Sequence, residues 1–356
     1  MTPTLPLIFD GHNDLLSKLH AAGGPAAVPG AITGCNGAID LPKARAGGFA
    51  GGFFAAWVPS PEDVPLAELF ALMQAPPYDI PLPAPVDQAT ALATVLAQSN
   101  LLSELENLGA LAICRTTTEI RAALDRDQLA AIFHLEGADA IDPDFEALDT
   151  LHDLGLRSLG PVWSRPTIYA HGVPFRFPST PDTGPGLTDH GRRLVAACDA
   201  RRIMLDLSHL NEAGFWDVVR LSTQPLVATH SNPHALCRHS RNLTDRQLDV
   251  IAERDGLVGL NFAVSFLRED GRKIADTPVE QMLRHLDYLI EKLGENHVGL
   301  GSDYDGAVVP DALSDVSKLP VLRQAMRDHG YGDALLTKLC HGNWIALLDR
   351  VWDAAA

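Results

Sequence analysis

The segment Phe9-Asp10-Gly11-His12-Asn13-Asp14 directly follows an apolar run that begins at Leu5. Side chains alternate between the two faces of a β-strand, so a strand here would point His12 and Asp14 the same way. Imidazole and carboxylate groups both bind metal ions. The segment therefore predicts a buried strand whose carboxyl end offers two ligands to a metal.

Strand-like apolar runs recur along the whole chain, with helical patterns between them. Several are continuously apolar, which is typical of parallel strands that are covered on both faces. Eight runs qualify, at residues 7–10, 52–58, 131–136, 156–163, 203–209, 226–230, 257–262 and 298–303. This alternation favours an α/β fold, a (β/α)8 TIM barrel, over a doubly wound sheet. No linker is evident, so residues 1–356 are predicted to form one catalytic barrel domain.

Helices are predicted at residues 88–108, 117–126, 188–202, 245–254 and 278–293, and an extra strand outside the main count at 111–115. Two long segments have the composition of loops: 59–87, with eight prolines, and 172–187, rich in Pro, Gly, Ser and Thr. A loop that follows a barrel strand lies on the catalytic face, so 172–187 is predicted to be a lid. For 59–87, a functional loop and a passive surface insertion are equal alternatives.

Composition excludes several classes of protein. A net charge of −17 at pH 7 argues against binding to nucleic acid or to anionic membranes, because both require a basic patch. The sequence has no run of eighteen apolar residues and no secretory signal pattern. Its five cysteines form no CxxC pair, which favours reduced thiols in the cytoplasm over a disulfide framework or a zinc ribbon.

Polar side chains end five of the eight predicted strands, and in a barrel such ends carry the catalytic groups. A single histidine of this kind is more often a hydrogen-bonded structural residue, and a single aspartate is often a helix cap. Six such residues at one rim would be costly to bury without a purpose. Their mixture of imidazoles and carboxylates suits a pair of zinc ions, and the set is His12, Asp14, Glu136, His209, His230 and Asp303.

The remaining histidines and serines have weaker support as functional groups. His134 shares a strand face with Glu136, so two alternatives stay open for it: a residue that supports a metal ligand, or a hydrogen-bonded residue of the core. Ser208 and Ser231 precede or follow a histidine directly, and adjacent strand residues point to opposite faces, so a serine nucleophile is not favoured. Five histidines fall in predicted helices or loops and are expected to be solvated, at positions 20, 152, 190, 285 and 329.

In their order along the chain, these residues resemble the membrane (renal) dipeptidase family, the M19 metallopeptidases of the amidohydrolase type. The resemblance covers nearly the whole chain and implies a binuclear zinc barrel that hydrolyses dipeptides. The segments that carry it are DGHND at 10–14, EG at 136–137, SH at 208–209, THS at 229–231, SRN at 240–242, GSDYDG at 301–306 and DVSK at 315–318.

The resemblance also implies a role for each site residue. His12 and Asp14 would hold one zinc, His209 and His230 the other, and Glu136 would bridge the two. Arg241 matches the arginine that grips the terminal carboxylate of the substrate, a task that suits a planar guanidinium. Asp303 matches the proton-transfer aspartate, which would serve a hydroxide that bridges the metals. Tolerance of a D-residue at the C-terminal position and a homodimer are further expectations from the family.

The fourth strand departs from the family pattern. Many members have a substrate-contacting histidine at its end, whereas this chain has Trp163 there. Either His171 supplies the imidazole from the following loop, or the contact is absent and the indole shapes the pocket. Two alternatives therefore stay open: a related binuclear amidohydrolase acting on N-acyl amino acids, lactones or cyclic amides, and a non-catalytic barrel. The complete ligand set argues against the second.

Overall fold

A computed structural model describes residues 5–35, 37–60 and 66–352. Its strands, in chain order, are β1 (Ile8–Asn13), β2 (Phe49–Trp57), β3 (Tyr78–Ile80), β4 (Leu111–Ile113), β5 (Leu129–Glu136), β6 (Leu156–Gly160), β7 (Phe175–Phe177), β8 (Met204–Leu205), β9 (Val227–Ala228), β10 (Leu257–Asn261) and β11 (Val298–Gly301).

Eight of these strands form a parallel barrel. They pair in the order β8-β6-β5-β2-β1-β11-β10-β9. The barrel closes where Asp206 and Val227 form a parallel bridge between the ends of β8 and β9. The predicted (β/α)8 fold is therefore confirmed. Strand β4 pairs with β5 but is not one of the eight barrel strands. This agrees with the prediction of an extra strand at 111–115.

Helices surround the barrel and account for the predicted helical patterns. Helix 117–126 begins with the predicted capping box, in which Thr116 and Glu119 satisfy each other's backbone N–H groups. The described α-helices are α1 (Leu15–Ala21), α2 (Val28–Thr33), α3 (Leu41–Gly47), α4 (Leu66–Leu72), α5 (Gln88–Asn107), α6 (Thr117–Asp125), α7 (Glu146–Asp153), α8 (Asp189–Arg201), α9 (Glu212–Leu221), α10 (Asp245–Glu253), α11 (Val264–Leu267), α12 (Val279–Leu293), α13 (Leu319–Asp328), α14 (Asp333–Thr337) and α15 (Asn343–Trp352).

The amino end of the barrel is filled by the indole of Trp344 from α15. The ring is fully buried and donates its Nε1–H to the Leu300 carbonyl at 3.0 Å. Three strand glycines make room for it, because a Cβ at Gly11, Gly259 or Gly299 would lie 2.5–3.1 Å from ring atoms. With the amino end closed by packing, the carboxyl end is left for the site.

The segments expected to be loops pair with each other. Residues 59–87 contain α4 and β3, and β3 pairs antiparallel with β7 of the 172–187 segment. The prediction that both segments are loops was therefore wrong at α4, β3 and β7, although residues 61–65 lie outside the described part. Each strand is only three residues long and stabilised by its distant partner and an apolar cluster of Met73, Tyr78, Ile80, Phe175 and Phe177.

Three further expectations can be compared with the structure. All five cysteines are free thiols, as expected. Within the described residues, no helix has the length and apolar character needed to cross a membrane. The prediction that His285 is solvated was wrong: it is buried on the inner face of α12, and its Nε2 lies 2.9 Å from the Leu267 carbonyl oxygen.

Candidate active site

The structure brings three predicted imidazole ligands together around one carboxylate oxygen. Glu136 Oε1, at the end of β5, lies 3.0 Å from His209 Nε2 and 3.5 Å from His230 Nε2. The same oxygen lies 3.7 Å from the Nε2 of His12 on β1. These residues come from four different strand ends, and all four side chains are buried. The barrel therefore gathers them at its carboxyl end.

The two remaining candidate carboxylates, Asp14 and Asp303, also lie close to His12. Asp14 Oδ2 is 3.4 Å from His12 Nε2. Potential ligand atoms of His12, Asp14 and Asp303 lie within 4.8 Å of one another, and so do those of His12, Glu136 and His230. His12 thus belongs to both groups, so the candidate ligand atoms form one continuous cluster at the barrel mouth.

Asp303 is positioned where the carboxyl ends of the paired strands β1 and β11 lie side by side. Its backbone N–H donates to the His12 carbonyl at 3.0 Å, and its φ of +60° is a left-handed conformation that few non-glycine residues adopt. Buried Asp10 accepts hydrogen bonds from the N–H and the hydroxyl of Ser302, each at 2.7 Å. A Cβ at Gly306 would lie 2.1 Å from Asp14 Oδ2, so the turn must be tight there.

The side chains present fit a bound divalent cation. Both ring nitrogens of His12 are buried and without a hydrogen bond in the described structure, although carboxylates face the ring. Burial works to lower the pKa of His12, but the charges of Glu136 and Asp14 outweigh it and raise the pKa to about 10. Burial raises the pKa of Glu136 to about 8 and that of Asp303 above its usual range. A cation would relieve the repulsion among these acids and bind the unpaired Nε2 of His12, which the carboxylates of Asp14 and Glu136 face.

His209 and His230 have the properties of neutral ligands. Burial holds the pKa of each well below its usual range, with the nearby cationic groups adding to the effect. Their Nε2 atoms lie 3.2 Å apart, next to Glu136. Each ring is held from behind, because His209 Nδ1 lies 2.9 Å from Ser164 Oγ and His230 Nδ1 lies 2.8 Å from Thr229 Oγ1. Both Nε2 atoms therefore face the same small volume.

A third group, His12, His134 and Asp206, also has ligand atoms within 4.8 Å of one another. The Asp206 oxygens already accept hydrogen bonds from the backbone and hydroxyls of Ser208 and Thr229. The Nδ1 of His134 is 2.8 Å from Ser158 Oγ, a hydrogen bond that agrees with the second of the two alternatives for this residue. Asp206 is thus occupied as an acceptor and is a poor ligand for a metal.

Arg241 reaches the site from the segment after β9. It is buried, and its Nη1 contacts the Ser208 carbonyl while its Nη2 donates to the His230 carbonyl at 3.1 Å. Its Nε is buried and has no hydrogen-bond partner in the described residues. The guanidinium is therefore fixed beside the segments that carry His209 and His230, with its Nε–H and one N–H of Nη2 unused.

The structure distinguishes Trp163 from His171, the two candidates for the substrate contact near the end of the fourth barrel strand. The Trp163 ring lies 5.8 Å from the His209 ring and 5.6 Å from Phe175 of β7. His171 shows a backbone contact, since its carbonyl accepts the Asn211 N–H at 3.3 Å. Trp163 thus connects the candidate ligands to the predicted lid, whereas no such link is seen for the His171 ring in the described part.

The residues that hold the candidate ligands in place were not among those predicted from the sequence: Ser164, Asp206, Thr229, Asn261 and the Asp10–Ser302 pair. A usable signal existed for the two acids. Asp206 precedes His209 by three residues and Asp10 precedes His12 by two, each at the end of an apolar run. An acid inside a buried strand needs donors, and these two find them on the next strand of the barrel.

Comparison with known proteins supports one family. The model of the membrane dipeptidase family (peptidase family M19) matches residues 4–356. A metallopeptidase from Rhodobacter sphaeroides, solved with a phosphinate mimic of the dipeptide L-Ala-D-Ala, is 54% identical, with a TM-score of 0.96 over 98% of this chain and all of that chain. A dipeptidase AC of family M19 is likewise 54% identical, with a TM-score of 0.95 over 99% of this chain and all of its own.

A sequence relative extends the comparison. An uncharacterized protein in the pqqA 5′ region of Klebsiella pneumoniae is 46% identical over 244 residues, which is 68% of this chain and 90% of that protein. Together with the metal-type cluster at the barrel mouth, these matches make the chain a peptide-bond hydrolase of the metallopeptidase type. The chain belongs to the membrane dipeptidase family, peptidase family M19.

Proposed function

We propose that this chain is a zinc-dependent dipeptidase that binds two zinc ions and tolerates a D-residue at the C-terminal position. The observation that carries the proposal is the position of Glu136 Oε1, within 3.7 Å of imidazole Nε2 atoms from three other strand ends. Zinc prefers such mixed imidazole and carboxylate sets. The Rhodobacter sphaeroides relative was solved with a mimic of L-Ala-D-Ala, which supports both the substrate class and the D-residue.

The five candidate ligands divide into two sets that share one residue. His12 and Asp14 would hold one zinc, His209 and His230 the other, and the Glu136 carboxylate would bridge them. When bound, the zinc pair would supply a bridging hydroxide at neutral pH and polarise the scissile carbonyl. The role of the chain is to hold these five side chains in a buried volume from which bulk water is excluded.

Asp303 would move the proton. Its Oδ2 accepts a hydrogen bond from Asn261 Nδ2 at 3.0 Å, so its Oδ1 is the oxygen left to take the proton of the attacking water. Burial raises the pKa of Asp303, which suits a group that must hold the proton and then return it to the leaving amine. The local geometry that fixes this side chain is the left-handed backbone at Asp303.

Arg241 would bind the free carboxylate of the dipeptide. Both N–H groups of Nη1 and one of Nη2 donate to the chain itself, so the Nε–H and the second N–H of Nη2 are the donors that remain for a substrate. This would limit substrates to short peptides with a free C-terminus.

Trp163, beside His209, would take the place of the family's histidine and pack against the substrate, and His171 stays the alternative. We further propose one catalytic domain over residues 1–356, a homodimer, and a cytoplasmic location suited to free thiols.

A direct test combines metal analysis with a substrate panel. We expect about two zinc ions per chain, loss of activity with a chelator, and recovery when zinc is added. The zinc-loaded chain should cleave L-Ala-L-Ala and L-Ala-D-Ala, and should cleave acetyl-amino acids and lactones far more slowly. Preference for the acyl-amino acids or lactones would instead support the related amidohydrolase. Fewer than one zinc per chain and no turnover of any substrate would support the non-catalytic barrel.

A further inference from the structure

Behind the candidate ligands lies Asp206, a buried acid whose hydrogen bonds all come from neutral groups. It is 3% exposed and directly follows β8. Three donors meet on its Oδ1: the Ser208 N–H at 3.1 Å, the Thr229 N–H at 2.9 Å and the Ser208 hydroxyl at 2.6 Å. The Thr229 hydroxyl donates to Oδ2 at 2.6 Å. Both oxygens of the carboxylate are therefore engaged, and each has a fixed set of donors.

The Thr229 hydroxyl connects this acid to a candidate ligand. A hydroxyl has one proton, and here that proton points to Asp206. The same oxygen lies 2.8 Å from His230 Nδ1, so at this contact the hydroxyl can only accept, and Nδ1 must carry the proton. A neutral imidazole protonated on Nδ1 has its lone pair on Nε2. That Nε2 faces Glu136 Oε1 at 3.5 Å and His209 Nε2 at 3.2 Å.

We propose that Asp206 is a positioning residue that sets the tautomer of His230 through the Thr229 hydroxyl and so directs the Nε2 lone pair toward the metal centre. The inference rests on the proposed function in taking His230 as a ligand, but the tautomer is a property of the metal-free chain. Carboxylates often orient a metal-binding histidine directly. Here a threonine hydroxyl stands between the two groups.

His209 provides an internal contrast. Its Nδ1 lies 2.9 Å from the Ser164 hydroxyl, and the described part of the chain gives that hydroxyl no second hydrogen bond. The Ser164 proton is therefore free to point toward the ring or away from it. The acid that removes this ambiguity at His230 has no counterpart at His209. The tautomer of His230 should accordingly be the more strongly determined of the two.

Replacing Asp206 by asparagine should reverse the direction of the two hydrogen bonds that link residue 206 to His230 through the Thr229 hydroxyl. Three donors converge on Oδ1, so the amide carbonyl must take that side and the NH2 group must take the side of Oδ2. The Thr229 hydroxyl then accepts from the amide and turns its own proton toward His230 Nδ1. The ring must carry its proton on Nε2, which places an N–H where a metal ligand needs a lone pair.

Nitrogen NMR of the 356-residue chain tests the tautomer directly. The chain is labelled with 15N-histidine, stripped of metal with a chelator, and studied near pH 7.5, with His230 assigned from a His230→Gln sample. We expect Nδ1–H in the wild type and in Thr229→Ser, which keeps the hydroxyl, and Nε2–H in Asp206→Asn. An Nε2–H ring in the wild type, or an unchanged Nδ1–H ring in Asp206→Asn, would overturn the proposal.

Zinc affinity, measured by competition with a chromophoric chelator, provides the second readout. Asp206→Asn and Thr229→Val should each bind zinc about 10–100-fold more weakly, and Thr229→Ser should stay close to the wild type. Asp217→Asn is a matched control, because Asp217 is a buried acid that pairs with the Leu187 N–H and Arg220. Wild-type affinity in Asp206→Asn would count against the positioning role.

The two readouts also separate this inference from the proposed function. If the wild type binds zinc but cleaves no dipeptide, the tautomer result stands and the proposed substrate fails. If dipeptides are cleaved but Asp206→Asn keeps the Nδ1–H ring, the dipeptidase stands and the role of Asp206 fails. Should Asp206→Asn not fold, the comparison of Thr229→Val with Thr229→Ser decides, since loss of zinc affinity in Thr229→Val alone is the expected result and equal affinities contradict it.

Discussion

Asn261 and Asp303 are joined by a hydrogen bond of 3.0 Å between the Asn261 Nδ2 and the Asp303 Oδ2. The two residues belong to neighbouring strand ends, β10 and β11, and the same amide Nδ2 also lies 3.3 Å from the His230 carbonyl oxygen. One amide therefore links the candidate proton carrier to a candidate metal ligand. It leaves a single oxygen of Asp303 available for chemistry.

Asp303→Asn should retain both zinc ions but lower kcat by about 10²–10⁴-fold, because an amide cannot take and return a proton. Metal analysis and steady-state kinetics on L-Ala-L-Ala would measure the two effects separately. Asn261→Leu is a useful companion, since it removes the hydrogen bond but keeps the acid, and its kcat should fall much less. Near-normal turnover in Asp303→Asn would remove the proton-transfer role.

Arg241→Ala should raise KM for free dipeptides much more than for the same dipeptides with a C-terminal amide, because only the free carboxylate needs a cation. The comparison is internally controlled: any disturbance of the Ser208 and His230 carbonyls that Arg241 contacts affects both substrates alike. Arg246→Ala serves as an external control, since its guanidinium stacks on Trp216. An equal rise for both substrates would exclude Arg241 from carboxylate binding.

Trp344→Ala should lower the free energy of unfolding by about 3–5 kcal/mol, because it empties the amino end of the barrel and leaves the three facing glycines without a partner. Urea unfolding measures the loss. Trp216→Ala, which truncates a half-buried indole on α9, is the matched control and should cost clearly less. Similar losses in both variants would mean that the Trp344 indole stabilises the barrel no more than a half-buried surface indole does.

His285 should make the protein less stable as the pH falls. Burial lowers the pKa of its imidazole from 6.5 to about 4, so the unfolded chain takes up the proton first. The contribution of neutral His285 is complete above about pH 6.5 and declines toward pH 4, by at most about 1.4 kcal/mol per pH unit. His285→Gln, which keeps a donor for the Leu267 carbonyl, should flatten this decline in urea unfolding. Exposed His329→Gln should not, and a wild-type slope in His285→Gln would contradict the prediction.

The sequence predicted the barrel and the residues that meet at its mouth because both depend on local pattern. A buried parallel strand is recognisable as an apolar run, and a ligand at its carboxyl end follows in the next positions. The pairing of β3 with β7 could not be predicted in this way, since each is only three residues long and the two lie about a hundred residues apart. Their strand character comes from tertiary contact rather than from propensity.

The orientation of side chains was the other feature that the local sequence pattern could not predict. Glu136 and His209 are identifiable as candidates by position, whereas Asp206 acts on His230 through Thr229, and that relation exists only once β8 and β9 are adjacent. His285 was misjudged for a similar reason. Its helix was predicted correctly, but which face of the helix is covered depends on the packing of α12 and on the Leu267 carbonyl.

The pairing of β1 with β11 has a consequence for how the protein comes into being. His12 and Asp303 lie almost three hundred residues apart in the chain, yet the Asp303 N–H is bonded to the His12 carbonyl. A ribosome must therefore synthesise most of the polypeptide before His12, the first candidate ligand in the chain, can contact Asp303. A nascent or prematurely terminated chain cannot assemble the centre, so hydrolytic competence arises only in a molecule whose synthesis has passed the final strand.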